Sequence, residues 1–206
     1  MHIEFLVEEQ SMEEVLNNIV PKIIGDKIEF KIRCFSGKGN LLKKLPDRFK
    51  GYKNQFDNNV LSPDTRIIVV IDRDRDNCEE LKEQLEKIAE NAALTTKTKS
   101  KESSDYQIVN RIVVEELEAW FFGDIEAVAT AYPKIPTTTA QKKRYRNPDN
   151  IKGAWQALEK VLQEKDYPDS KSKLKVAKNI SQHMDPERNT SKSFQVFKQA
   201  LQELLK

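Results

Sequence analysis

Residues 66–78 read RIIVVIDRDRDNC. The segment RIIVVI is apolar without alternation, as a central parallel strand covered on both faces is. It runs straight into Asp72, Asp74 and Asp76, spaced two apart and separated by arginines. In open α/β sheets the ligand crevice lies beyond the carboxyl ends of the strands, so these acids fall where a site is expected. On an extended stretch Asp72 and Asp74 point the same way and the arginines the other. Asp72 and Asp74 are therefore expected as a ligand pair. Asp76, with Glu79 three residues on, reads as a helix cap.

Outward from this segment, strands are expected over 3–7, 28–35 and 106–114. Ser11 and Glu14 form a capping box that opens a helix, whose apolar face is Met12, Val15, Leu16, Ile19 and Ile23. Pro21 is expected to end or kink it. A short basic helix runs from Leu41 to about Lys50, followed by a polar loop over 51–65. Another helix spans Cys78 to about Asn91, and 95–105 is a polar connector. EELEAWFF begins a helix that Gly123 and Asp124 interrupt. From Pro133 the pattern changes to a Pro/Thr cluster, a basic stretch and helical segments near 151–164, 171–183 and 192–205. Strands alternating with helices imply an α/β fold: a Rossmann-like, mostly parallel sheet flanked by helices, with a C-terminal helical lobe. The expected division is an α/β domain over 1–132 and a basic helical lobe over 133–206.

The bulk numbers agree with a soluble globular chain: 206 residues, 38% hydrophobic, 33% charged. No apolar run approaches the roughly 20 residues that span a bilayer. The first ten residues lack the features of a signal peptide. Cys34 and Cys78 have no metal-ligand spacing, and the expected location is the cytoplasm. The charge is uneven. Residues 1–133 hold 19 Lys+Arg against 25 Asp+Glu, and residues 134–206 hold 16 against 8. A metal site beside a polyanion-binding lobe would produce this pattern.

Acids follow three of the expected strands: Glu8 and Glu9, then Asp72 and Asp74, then Glu115, Glu116 and Glu118. Gathered carboxylates repel and take up protons unless a cation offsets them. Mg²⁺ or Mn²⁺, which prefer oxygen ligands, would do so best. Glu8 or Glu9 is expected in general acid/base work, and Asp72, Asp74, Glu116 and Glu118 as metal ligands. For nucleic acid, Lys38 in the GKG turn and Arg144 and Arg146 around Tyr145 are candidate contacts. In HMDPERNTSKSF (183–194), helix capping explains Asp185, Pro186 and one hydroxyl. His183, Arg188, Asn189 and Lys192 remain as groups to meet a phosphate or to complete the acidic site. Trp120, Phe121 and Phe122 cannot all be buried by one helix face, so some are expected to pack on the C-terminal lobe.

A Glu after the first strand and a DxD after a later one resemble the Toprim domain of topoisomerases, primases and overcoming-lysogenization-defect nucleases. Glu8 matches the first motif and Asp72 and Asp74 the second. Glu9 stands where Toprim proteins usually have Gly. Over nearly the whole chain, LVEEQSMEE, GKGNLLKKLP, VVIDRDRDNC, RIVVEELEAWFFGD, AYPKIP, YRNPD and HMDPERNTSKSF resemble the bacterial domain-of-unknown-function family 4276, a Toprim-like group. That resemblance implies Mg²⁺-dependent phosphodiester processing, as a nuclease. It also implies a place in phage defence beside an ATPase partner. The other reading is a non-catalytic Toprim scaffold that binds nucleic acid or regulates a partner. A haloacid-dehalogenase-type phosphatase also carries DxD after an apolar strand, but Arg73 and Arg75 do not suit that pattern.

Overall fold

A computed structural model of the chain describes residues 1–25, 28–101 and 105–205. Residues 102–104 of the expected connector lie outside this set. The chain divides into two compact units. The first comprises Met1–Glu9, Asp26–Ile71 and Asp76–Ile112, and the second Gln10–Gly25, Asp72–Arg75 and Val113–Lys206. The expected boundary at 132/133 therefore falls inside the second unit.

The first unit is built on a four-stranded sheet of β1 (His2–Val7), β2 (Glu29–Cys34), β3 (Thr65–Asp72) and β4 (Ile108–Val113), in the order β2-β1-β3-β4. β1 runs parallel to β2 and to β3, with Val7 level with Cys34 on one side and Val70 on the other. Ile67 donates to the carbonyl of Gln107 and Arg73 to that of Val113, a constant offset that makes β4 parallel as well. Parallel strands cannot be joined by tight hairpins, which is why helical segments intervene. Every residue of β3 is buried, as its unbroken apolar run requires.

Helices α2 (Lys38–Asp57) and α3 (Cys78–Asn91) cover one face of this sheet. Leu41, Leu45, Phe49 and Tyr52 of α2, with Leu81, Leu85 and Ala89 of α3, form one core with Leu6, Ile67, Val69 and Ile71. α2 is twice as long as expected and absorbs much of the 51–65 loop. Its buried stripe of Leu41, Leu45, Phe49 and Tyr52 carries it past the expected end. α3 is capped by Asn77, not Asp76: its side chain accepts from the amides of Glu79 and Glu80. Asp76 instead pairs with Lys38 at 2.6 Å.

Glu4 is one of the charges buried in this unit. Glu4 of β1 accepts from Arg33 Nε at 2.5 Å and from the Tyr52 hydroxyl at 2.8 Å. Burial alone would raise its carboxyl, but the bonds from Arg33 and Tyr52 and the charge of Arg33 outweigh that and hold it below the ordinary value. A folded-state pKa below the unfolded one stabilises at neutral pH, and the gain disappears as pH falls through the folded value. Tyr52→Phe should therefore cost about 2 kcal/mol at pH 7, and less at pH 3. Urea unfolding at the two pH values measures both.

The second unit is helical. α1 (Gln10–Ile24) starts one residue before the expected cap, so that Ser11 is buried in its first turn, and it continues through Pro21. The unit also contains α4 (Glu118–Gly123), α5 (Ile125–Ala131), α6 (Ala154–Gln163), α7 (Lys173–Ser181) and α8 (Lys192–Glu203). α1 lies along α7. Asn18 Nδ2 donates to Ser181 Oγ at 2.9 Å, and Lys22 Nζ donates to the carbonyls of Gln182 and Met184 at 2.8 Å. Lys22 thus neutralises the carbonyl end of α7. Trp120, Phe121 and Phe122 are all buried. Trp120 packs on Phe194 and Phe197 of α8, and Phe122 stacks on Tyr145. No helix among the described residues is long and apolar enough to cross a membrane.

Candidate acidic site

The order β2-β1-β3-β4 changes direction between β1 and β3, the switch point where open α/β sheets place ligands. β1 leads into Glu8 and β3 ends on Asp72. Glu8 is buried, and its carbonyl accepts from Gly37 N–H at 2.7 Å. That bond ties the end of β1 to the GKG turn. Glu9 is half-buried.

The remaining acids belong to the second unit. Asp72 is buried, and its Oδ2 accepts from Leu117 N–H at 3.2 Å. Past the strands the backbone pairing continues: Asp74 N–H donates to the Glu115 carbonyl at 2.8 Å. Both of these residues are left-handed, Asp74 at φ 53° and Glu115 at φ 63°. This differs from the extended geometry expected of DRDRD. The strand alternation stops at Asp72, so Asp72 is buried while Asp74 is exposed. Left-handed non-glycine residues cost of order 1–3 kcal/mol each and cluster at functional sites.

Among the glutamates, Glu115 pairs with Arg73. Glu116 Oε2 accepts from Trp155 N–H at 2.8 Å, so it serves the N-terminus of α6. Glu118, the first residue of α4, is fully buried. Among the described residues no three His, Cys, Asp or Glu side chains stand together as a metal cage. Magnesium does not require one. It is held by one or two carboxylates, several waters and the substrate's own phosphates. The oxygen donors of Asp72 and Glu118 suit that chemistry.

What holds α4 in place is the segment after α7. Asn189 Nδ2 donates to the Trp120 carbonyl at 2.8 Å, and Trp120 Nε1 donates to Ser193 Oγ at 3.0 Å. Thr190 N–H donates to the Gly123 carbonyl at 2.9 Å. Arg188 donates from Nε and Nη2 to Asp124, at 2.6 and 3.0 Å. Asp149 accepts from the amides of Lys192 and Ser193 at the start of α8, at 2.7 and 3.2 Å. A six-residue helix cannot sustain itself, so these bonds fix where Glu118 sits. HMDPERNTSKSF is thus a clasp around α4. Asn189 and Thr190 of this run give their side chains to backbone carbonyls of α4.

A Cβ at Gly123 would run into Asn189 Oδ1 and would lie 2.9 Å from Ser191 N, which is backbone and cannot give way. Gly123→Ala should therefore destabilise by about 2 kcal/mol, seen as a lowered urea midpoint.

The expected nucleic-acid contacts are scattered in kind. Lys38 is engaged with Asp76. Arg144 lies over the Tyr145 ring at 4.4 Å, and that ring is buried against Phe122. Tyr145 is therefore a core residue, whereas the sequence reading offered it for stacking on a base. Arg146, His183 and Lys192 have exposed side chains. Arg188 belongs to Asp124. Asp124 reads from sequence as a helix cap, and it caps α5; Asp149 was not singled out.

No curated protein and no solved structure matches this chain. The model of the family described as a domain of unknown function, DUF4276, matches residues 7–204, and the chain belongs to that family.

Proposed function

We propose that the protein is a divalent-cation-dependent phosphodiester-processing enzyme, acting as a nuclease. The observation that carries this reading is the burial of Asp72, the last residue of the most apolar strand, with its carboxylate on the amide of Leu117, the residue before the buried Glu118. Charge is costly there and is retained where chemistry uses it. The left-handed Asp74 and Glu115 beside them point the same way. So does the order of the Glu8 and DxD motifs.

In this reading Asp72 and Glu118 would hold Mg²⁺ or Mn²⁺, and a cation bound there would supply positive charge against that developing on the phosphate. The attacking water gives up its proton to bulk solvent. Attack at phosphorus breaks the P–O bond to the leaving sugar oxygen. Arg146 and Lys192 offer positive charge for the strand being cut. The test is incubation of the purified protein with single- and double-stranded DNA and RNA, in Mg²⁺, in Mn²⁺ and in EDTA. Cleavage in the first two and none in the third is expected. No cleavage under any of these conditions, with or without an ATPase partner, removes the reading.

A second reading, a scaffold without turnover, takes support from Glu115 and Glu116, which are already engaged by Arg73 and by α6. Calorimetry separates the two: a scaffold binds nucleic acid but no Mn²⁺.

A further inference from the structure

The chain has two tryptophans, and they sit in opposite surroundings. Trp120 is buried among Phe194 and Phe197, with its indole N–H bonded to Ser193. Trp155 is half-exposed on the first turn of α6. Its backbone amide is held by Glu116, between Glu115 and Glu118 of the acidic stretch. Gly153, left-handed at φ 62°, turns the chain into the helix just before it. Lys173 Nζ, at the first position of α7, lies 5.8 Å from the ring centroid. Lys152, Lys171 and Lys175 are exposed in the same two helix starts.

We propose that Trp155 is a stacking platform for a base of single-stranded nucleic acid, with Lys173 beside it for the phosphate backbone. The inference rests on the reading above and adds the strand type and a residue that receives it. A half-exposed indole flanked by cations is the pairing with which proteins hold unpaired bases, because every base has a π-face. The excess of 16 Lys+Arg over 8 Asp+Glu in residues 134–206 gives the surrounding field the sign a polyanion needs. Glu116 does not oppose this, since its carboxylate is offset by the amide end of α6. Its bond to the Trp155 amide ties the start of α6 to the stretch that carries Glu118.

The experiment is fluorescence titration in EDTA, so that binding is read without cleavage. Oligothymidylate should quench the wild type and leave Trp155→Phe, which retains only the buried Trp120, unquenched. Anisotropy of a labelled strand should show about a tenfold weaker affinity for Trp155→Leu. An abasic strand should bind the wild type as weakly as the normal strand binds that variant. Unchanged affinity in Trp155→Leu, absence of quenching, or absence of binding overturns the inference. So does equal quenching by polyglutamate, which would mark the surface as one for acidic protein. Cleavage in Mg²⁺ is scored separately on the same preparations. Cleavage without quenching sinks the platform alone, and quenching without cleavage sinks the nuclease alone.

Discussion

Replacing Asp124 by alanine should lower the unfolding free energy by about 3–4 kcal/mol. Its carboxylate is 1% exposed and is an acceptor in every direction. It caps α5 through Ala127 N–H at 3.3 Å, takes Asp185 N–H at 2.8 Å, and receives the Arg188 fork. Loss of the cap alone costs about 1 kcal/mol. The larger part comes from the Asp185 amide and the Arg188 guanidinium, which lose the acceptor they were folded around. Arg188 is one-third exposed and can recover part of its hydration, which keeps the figure below the top of the range for broken buried pairs. Asp124→Asn keeps the cap and loses the ion pair, so it should fall between the two. Urea titrations should show a shifted midpoint with an unchanged slope. A variant within about 1 kcal/mol of wild type would mean that the Arg188 contact is incidental and that the arginine is available for substrate.

The second large effect is on activity. Asp72→Asn should reduce Mg²⁺-dependent cleavage by about 10³-fold or more while the protein remains folded. Asparagine keeps an oxygen to accept Leu117 N–H, so the contact at 3.2 Å survives. What goes is the charge, and with it the means of holding a cation. Melting temperatures of the two proteins, measured alongside, separate loss of cation binding from loss of fold. Glu118→Gln should behave alike. A stable variant with wild-type turnover would end the metal-ion reading, since no structural argument then requires the acid. Lower activity with a matching fall in stability would instead assign Asp72 to the fold.

These expectations rest on features that differ in how openly the sequence displays them. The strands were legible because β1 and β3 are short apolar runs bounded by polar residues, while β2 alternates. β3 could be placed at the sheet centre from composition alone. The break between α4 and α5 was legible too, since glycine followed by aspartate ends one helix and caps the next. The length of α2 was not, because Pro46 and Gly51 look like stop signals until Tyr52 and Phe56 are seen to continue the buried stripe. The acidic site was half legible. Strand ends follow from pattern, but the left-handed turn at Asp74 is set by its pairing with Glu115, forty-one residues away in sequence. The polar run at 183–194 was misleading for a physical reason: hydroxyls, amides and a guanidinium that satisfy backbone groups look, as letters, like those that bind phosphate. Membership of DUF4276 was carried by motif order and needed no geometry.

The pairing of α1 with α7 has a consequence for how the molecule is made. Asn18 and Ser181 are 163 positions apart, so a ribosome working at about 5–20 residues per second releases α1 roughly 8–30 s before its partner exists. Through that interval Met12, Leu16 and Ile19 have no α7 or α8 to settle against. The nascent chain carries an oily, unclaimed helix near its front, a natural handle for a chaperone and a liability in crowded expression. A host that translates the last third slowly should yield more aggregate than one that finishes it fast.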